Sequence, residues 1–332
     1  MRQRKYRKVR LISSIIVSCF FGVAALFIIV NKQYVIDQIT VWQYKPTSEI
    51  NGLADRAGMG SYGKFLYLAS QPSLEATQNF NDMCDRVENI TSILGCYKNY
   101  QIYIYDVTDK QLDGIREVTA AHETLHAAYV RMSESEQAKV DILLESEYKK
   151  LETNKDFSER MAFYALTEPG QRANELHSVI GTEVAVISPE LEAHYDKYFS
   201  NRQKVVALDA EYSSVFQKLE DRSNELVGQL NALALSISDR SAQYNLDAQT
   251  LDRDIISFNS RANNWGFSSQ TQFTYERSIL SARVTELDAT RISINEDIAN
   301  YSSILIEYNS IVSQSKKLYN SINSTLAPVP SV

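Results

Sequence analysis

Glycine and proline are scarce, 11 and 6 among 332 residues. So few turn-formers exclude a chain of many tight connections and favour long helices. Histidine is rarer still: His122, His126, His177 and His194 are all there are. Basic residues beyond the start of the chain are also in deficit. The first ten residues, MRQRKYRKVR, hold six Lys/Arg and no acid, and the net charge of −7 less that +6 leaves −13 for the remainder. An acidic remainder lacks the basic face that phosphate binding needs, which excludes nucleic acid as a partner. No low-complexity segment is present, and the one repeat is a heptad near the C-terminal end.

The basic start leads into LISSIIVSCFFGVAALFIIV, Leu11 to Val30, without a charge. Its length matches a bilayer core crossed by a helix. It is too long for the apolar part of a signal peptide and does not end in a small-x-small cleavage site. We therefore expect an uncleaved single-pass anchor at 11–30 in the cell membrane, with residues 1–10 cytoplasmic and everything after Val30 outside. Of the three cysteines, Cys19 lies in that run. Cys84 and Cys96 fall in the outward part, where a disulfide is expected; two unpaired thiols, one or both buried, are the alternative.

Residues 31–50 read as a connector, and 51–200 mix two periodicities. KFLYLAS (64–70) and YQIYIYDV (100–107) look like strands, rich in aromatic and β-branched residues. SLEATQNFNDMCDRV between them reads as a helix starting at Pro72 or Ser73, and TDKQLDG as a turn. Helices are predicted at 133–152 and 157–167, then over QRANELHSVI, stopped by Gly181. A last one, SPELEAHYDKYF, is capped by Ser188 with Pro189 at its first position. From Asn201 onward apolar residues recur in steps of three and four. One set runs from Val205 to Phe258, and another from Val284 to Ile322 includes Ile298, Leu305 and Val312. Such heptads predict a coiled coil, and RANNWGFSSQTQ between them makes it an antiparallel hairpin over 201–325. Trp265 and Phe267 fall at its tip, either exposed or folded back over the seam. The tail, 326–332, cannot continue a helix.

The chemistry lies in His122-Glu123-Thr124-Leu125-His126. Ile115, Val118, Thr119, His122, Leu125, His126 and Tyr129 share one helical stripe, so both histidines face inward. Residues four apart stack on a helix, which lets His122 and His126 reach one metal ion. Glu123 projects to the side, where it can take a proton from water and return it to a leaving amine.

Thr119 to Ala128, TAAHETLHAA, resembles the zincin metallopeptidases, strongly over this helix and loosely over 51–200. The resemblance implies an α+β zincin-like metallopeptidase domain followed by a long antiparallel α-helical coiled-coil hairpin. It implies Zn²⁺ held by His122, His126 and a third ligand, with Glu123 as general acid/base. Met132 stands where a metzincin has its third histidine, so a gluzincin-like glutamate is expected instead. Glu175, in the Asn174-Glu175 pair, is that candidate; Glu183 and His177 remain alternatives. His194, Tyr129 and Tyr195 are candidates for stabilising an oxyanion, and YQIYIYDV for aligning a peptide by strand addition. The implied partners are a peptide or protein substrate, the membrane through the N-terminal helix, and a protein contacted by the hairpin. The rival reading is a non-enzymatic cell-surface coiled-coil protein with a structural or vestigial metal site.

Overall fold

The computed structural model describes residues 18, 20–23, 25–84, 93–167 and 169–325. Most of the expected anchor's first half, Cys19, the basic start and the 326–332 tail lie outside the described residues. Among the described residues no single helix is long and apolar enough to cross a membrane. Phe20–Val30 and Lys32–Gln43, bent by 87° where they meet, pass that test only as a pair.

The chain divides into two compact units. One comprises the described residues of Met1–Val215 and Leu318–Val332, the other Phe216–Lys317. The first unit therefore runs past the expected boundary at 200 and takes back residues from the far end of the last helix. The hydroxyl of Ser324 donates to the carbonyl of Ile93 at 2.7 Å, and Asn81 donates to the carbonyl of Ser324 at 2.7 Å.

In the first unit helices surround a three-stranded sheet of order β1-β3-β2, with β1 Ser73–Glu75, β2 Gly95–Lys98 and β3 Gln101–Tyr105. β1 runs parallel to β3, pairing Leu74 with Ile104, and β2 runs antiparallel to it, pairing Cys96 with Tyr103. β3 alternates half-buried and buried residues, Ile102 and Ile104 facing the core, as its sequence predicts. Cys84 and Cys96 form a disulfide, Cα–Cα 5.9 Å, that ties β2 to the end of the helix Thr77–Met83.

Three expectations are corrected. KFLYLAS is not a strand but lies in the helix Ser61–Ala69, whose buried Gly63, Leu66 and Tyr67 follow a helical period; a short apolar run does not distinguish the two. The helix expected from Pro72 or Ser73 begins only at Thr77, because Ser73–Glu75 is taken up by the ladder to β3. The 31–50 connector is largely helical, Lys32–Gln43 followed by Ser48–Arg56, the latter capped by the Thr47 hydroxyl.

The motif helix, Ile115–Arg131, runs through the middle of this unit and is buried without interruption from Glu117 to Ala128. Glu117 sits in its first turn, where a carboxylate complements the helix dipole, and Arg56 pairs with it at 2.7 Å. The chain leaves the helix at Met132, and Ser133 with Glu136 forms a capping box that starts Glu134–Leu151. Lys155–Thr167, Arg172–Glu183 and Pro189–Tyr195 come next. Arg172–Glu183 packs on the motif helix along Leu125, Leu176, Val179 and Ile180, all wholly buried.

The second unit holds the greater part of the long helices Gln203–Asn263 and Gln270–Ile322, whose outer ends belong to the first. Within it Arg222 pairs with Glu307 at 2.6 Å, Arg240 with Asp297, Asp254 with Arg283 at 2.6 Å, and Arg261 with Glu276. Later residues of one helix meet earlier residues of the other, so the two pack antiparallel as a helical hairpin.

Candidate metal centre

Gly181 sets how close the two central helices come. A Cβ there would meet Leu125 Cδ1 at 2.4 Å and Tyr195 Cε1 at 2.7 Å. The residue expected to stop the helix instead lies inside Arg172–Glu183, where its missing side chain lets the motif helix approach. Beyond it, the guanidinium of Arg202 donates to the carbonyls of Val184 at 2.7 Å and Ala185 at 3.2 Å, and to Glu192. These bonds satisfy acceptors that the end of a helix leaves open.

Held this way, Glu175 reaches the motif. One carboxylate oxygen lies 3.5 Å from His126 Nε2 and the other 3.8 Å from His122 Nε2. All three side chains are buried, their nearest donor atoms lie within 4.8 Å of one another, and the group could hold a metal ion. Of the alternatives for the third position, Glu183 pairs with Arg160, and His177 makes a 2.9 Å Nε2–Nε2 contact with His194.

The electrostatics fit a cation. Burial, with the charge of Arg160 nearby, pulls the His122 imidazole down to about 3. Burial pulls His126 down to about 4 against the opposing pull of Glu175. Both rings are then neutral at physiological pH, the form that ligates. Burial pushes the Glu175 carboxyl up, and its Oε2 has no hydrogen-bond partner. A buried carboxylate facing two neutral imidazoles has no positive charge to offset its desolvation. A divalent ion bound by two nitrogens and an oxygen supplies that charge, a donor set suited to zinc among other metals.

These residues open into a cleft of about 740 Å³. Glu123 lines it beneath β2, and contact is so close at Gly95 that a Cβ there would meet Glu123 Oε1 and Thr119 Cγ2, each at 2.6 Å. Lys155–Thr167 forms another wall, with the Tyr164 ring inclined 22° to that of His122 at a centroid distance of 6.1 Å and Arg160 beside it. No local sequence pattern marks Gly95, Arg160 or Tyr164, since tertiary packing alone brings them together.

The other candidates lie elsewhere. Tyr195 is wholly buried and donates to the His177 carbonyl at 2.8 Å. Tyr129 donates to Asp141 at 2.8 Å. His194 lines a separate cavity with Tyr62, Arg131 and Glu136. YQIYIYDV cannot align a peptide by strand addition, because β3 is central and both its edges are used; the edge strand beside the cleft is β2.

No protein-family model, curated protein or solved structure matches this chain.

Proposed function

We propose that this chain is a membrane-anchored zinc metallopeptidase of the gluzincin kind, acting outside the cytoplasm. The observation that carries the reading is the position of Glu175, which arrives from a separate helix with its carboxylate facing the Nε2 atoms of His122 and His126. His122, His126 and Glu175 are the residues that would hold the ion. Zinc bound there supplies Lewis acidity, which polarises a peptide carbonyl and lets water ionise near neutral pH.

The remaining steps belong to the chain's own residues. Glu123 receives a proton from the attacking water and delivers it to the leaving amine. Gly95 keeps β2 tight over that carboxylate, and the β2 edge offers main-chain groups to an extended peptide. The described apolar residues of Phe20–Val30 are exposed and support the anchor, with Phe20 at 69% and Val30 at 73%. The Cys84–Cys96 disulfide suits an oxidising compartment.

The test is metal analysis of the purified full chain together with cleavage of a fluorogenic peptide library. One zinc per chain is expected, absent from His122→Ala and His126→Ala and bound at least tenfold more weakly by Glu175→Gln. Glu123→Gln is expected to keep the metal and lose at least a hundredfold in turnover. Equal zinc in all of these proteins would overturn the site. Zinc retained with unchanged cleavage in Glu123→Gln would overturn the role of Glu123 as general acid/base.

A further inference from the structure

The helix Lys32–Gln43 has its polarity reversed. It buries its one acid, Asp37, 4% exposed, and turns apolar residues outward. Asp37 accepts from Arg131 Nε and Nη2, each at 2.9 Å, and from Gln33 at 2.9 Å. Ile36, Ile39 and Trp42, spaced by three, are 44%, 50% and 83% exposed. A helix packed on a protein in water places such residues the other way round. Something apolar must cover this face, and the chain indicates what. The helix continues directly from Phe20–Val30 and turns away from it by 87°. With Phe20–Val30 along the bilayer normal, Lys32–Gln43 lies in the membrane plane.

We propose that Lys32–Gln43 lies in the interfacial layer of the lipid bilayer, with Ile36, Ile39 and Trp42 toward the acyl chains. This rests on the anchored reading above. Tryptophan favours that layer, its ring apolar and its N–H wet. Lys32, one turn before Ile36, can extend its ammonium to lipid phosphates.

The helix also locates the metal cleft. Its buried acid grips Arg131, the last residue of the motif helix, which in turn donates to the Tyr97 hydroxyl at 2.7 Å on the cleft wall. Arg131 lies five residues past His126, about 7.5 Å along the axis. Adding the spacing of packed helices puts the metal centre roughly 15–20 Å from the interfacial helix. Polypeptides held at the same membrane are then within reach of the cleft.

The experiment uses the full chain carrying Trp265→Phe, which leaves Trp42 as the only one of two tryptophans. It is reconstituted into phosphatidylcholine–phosphatidylglycerol vesicles and recovered by flotation. Trp42 emission is expected to fall at least twofold with lipid spin-labelled at acyl carbon 5, to fall less with label at carbon 12, and to resist iodide. Ile36→Glu/Ile39→Glu is expected to weaken the shallow quenching with zinc content unchanged, and to lower at least fivefold the ratio of cleavage rates for a vesicle-tethered over a free peptide. Protein that floats while iodide alone quenches Trp42 overturns the interfacial helix and leaves the anchor standing. Protection from both quenchers means a second copy covers the face, and also overturns it. Failure to float defeats the anchored reading and this proposal together. Quenching or a rate ratio unchanged by the double substitution removes the role of the apolar face.

Discussion

The unit with the candidate metal site and the hairpin are both largely helical, yet they keep apolar side chains in different ways. In the first, Leu125, Leu176, Ile180 and Tyr195 are wholly buried. In the second, the heptad residues Val284, Ile298, Leu305 and Val312 remain 48%, 44%, 37% and 43% exposed. A helix with neighbours on several sides can bury its whole circumference, whereas each arm of a two-helix hairpin has one neighbour and buries a single stripe. The first unit can therefore shelter ionisable groups and hold them neutral. The hairpin places its ion pairs on the surface, where such pairs contribute little. All four histidines lie in the first unit and none in Phe216–Lys317.

The largest effect should come from moving the boundary between the two. Cutting after Ser200 removes Arg202, Val205 and Val206, all buried. Without Arg202 the end of the Glu175 helix loses its donors, and Glu192 loses its partner. The truncated protein is expected to be insoluble and metal-free. Arg202→Ala in the full chain is expected to lose about 3 kcal/mol or more in denaturant titration, as buried acceptors are stranded. Soluble, zinc-loaded protein ending at residue 200 would show that the unit does end there.

The next effect tests close packing. Gly181→Ala drives a methyl into Leu125 and Tyr195, and Gly95→Ala drives one into Glu123 and Thr119. Overpacking of this kind costs about 1–3 kcal/mol. Gly181→Ala should weaken metal binding by parting the helices. Gly95→Ala should keep the metal and lower turnover by displacing Glu123. The same substitution at Gly228 in the hairpin, where nothing lies within 4 Å of the added Cβ, should be harmless. Equal effects at all three positions would erase the distinction in packing.

The same contrast explains how much is legible in the sequence. The long helices are plain, since a seven-residue repeat sustained over many turns has no other reading. The motif helix is as clear, because its spacing is itself the geometry of a ligand pair. Glu175 is suggested by Asn174-Glu175, but its place in the site depends on Gly181 and Arg202, whose roles exist only after the chain folds back. Lys32–Gln43 reads as a connector for a related reason. Its outward apolar face and inward aspartate are the reverse of what a water-soluble pattern looks for. KFLYLAS misleads through its length, being too short for one period to outweigh another.

Acid should separate the two units more gently. Burial lowers His122 to about 3, His126 to about 4 and His194 to about 4, and takes His177 well below its usual value. Below about pH 6.5 the unfolded chain takes up these protons and the folded, metal-free chain does not, so stability falls as the pH drops. Each such histidine contributes a slope approaching about 1.4 kcal/mol per pH unit. Glu175 and Asp209, whose carboxyls burial pushes up, act in the opposite sense and offset part of the slope. Hydrogen exchange on chelator-treated full chain between pH 6.5 and 5 should show faster opening of Arg172–Glu183 and little change over the hairpin arms. Parallel loss in both would mean that the histidines do not set the acid limit.

The smallest effect lies at the hairpin tip, where the sequence offers two aromatic residues the same two possibilities. The structure treats them differently. Phe267 folds back, its ring 5.1 Å from Phe258 and 5.3 Å from Phe273, with the Arg261 guanidinium 4.7 Å above it. Trp265 points away, 95% exposed, on a backbone with φ +58°. That left-handed conformation costs a bulky residue about 1–2 kcal/mol and glycine almost nothing. Glycine in turn gives the unfolded chain more freedom, which returns about 0.4–1 kcal/mol of the gain. Trp265→Gly should therefore leave the melting of the hairpin unchanged or raise it slightly. Phe267→Ala, which opens the aromatic cluster, should lower it by about 1–3 kcal/mol, less than a core aromatic truncation because the site is half-exposed. If Trp265→Gly proved the more damaging of the two, the indole would be packed in solution and the tip closed by both rings.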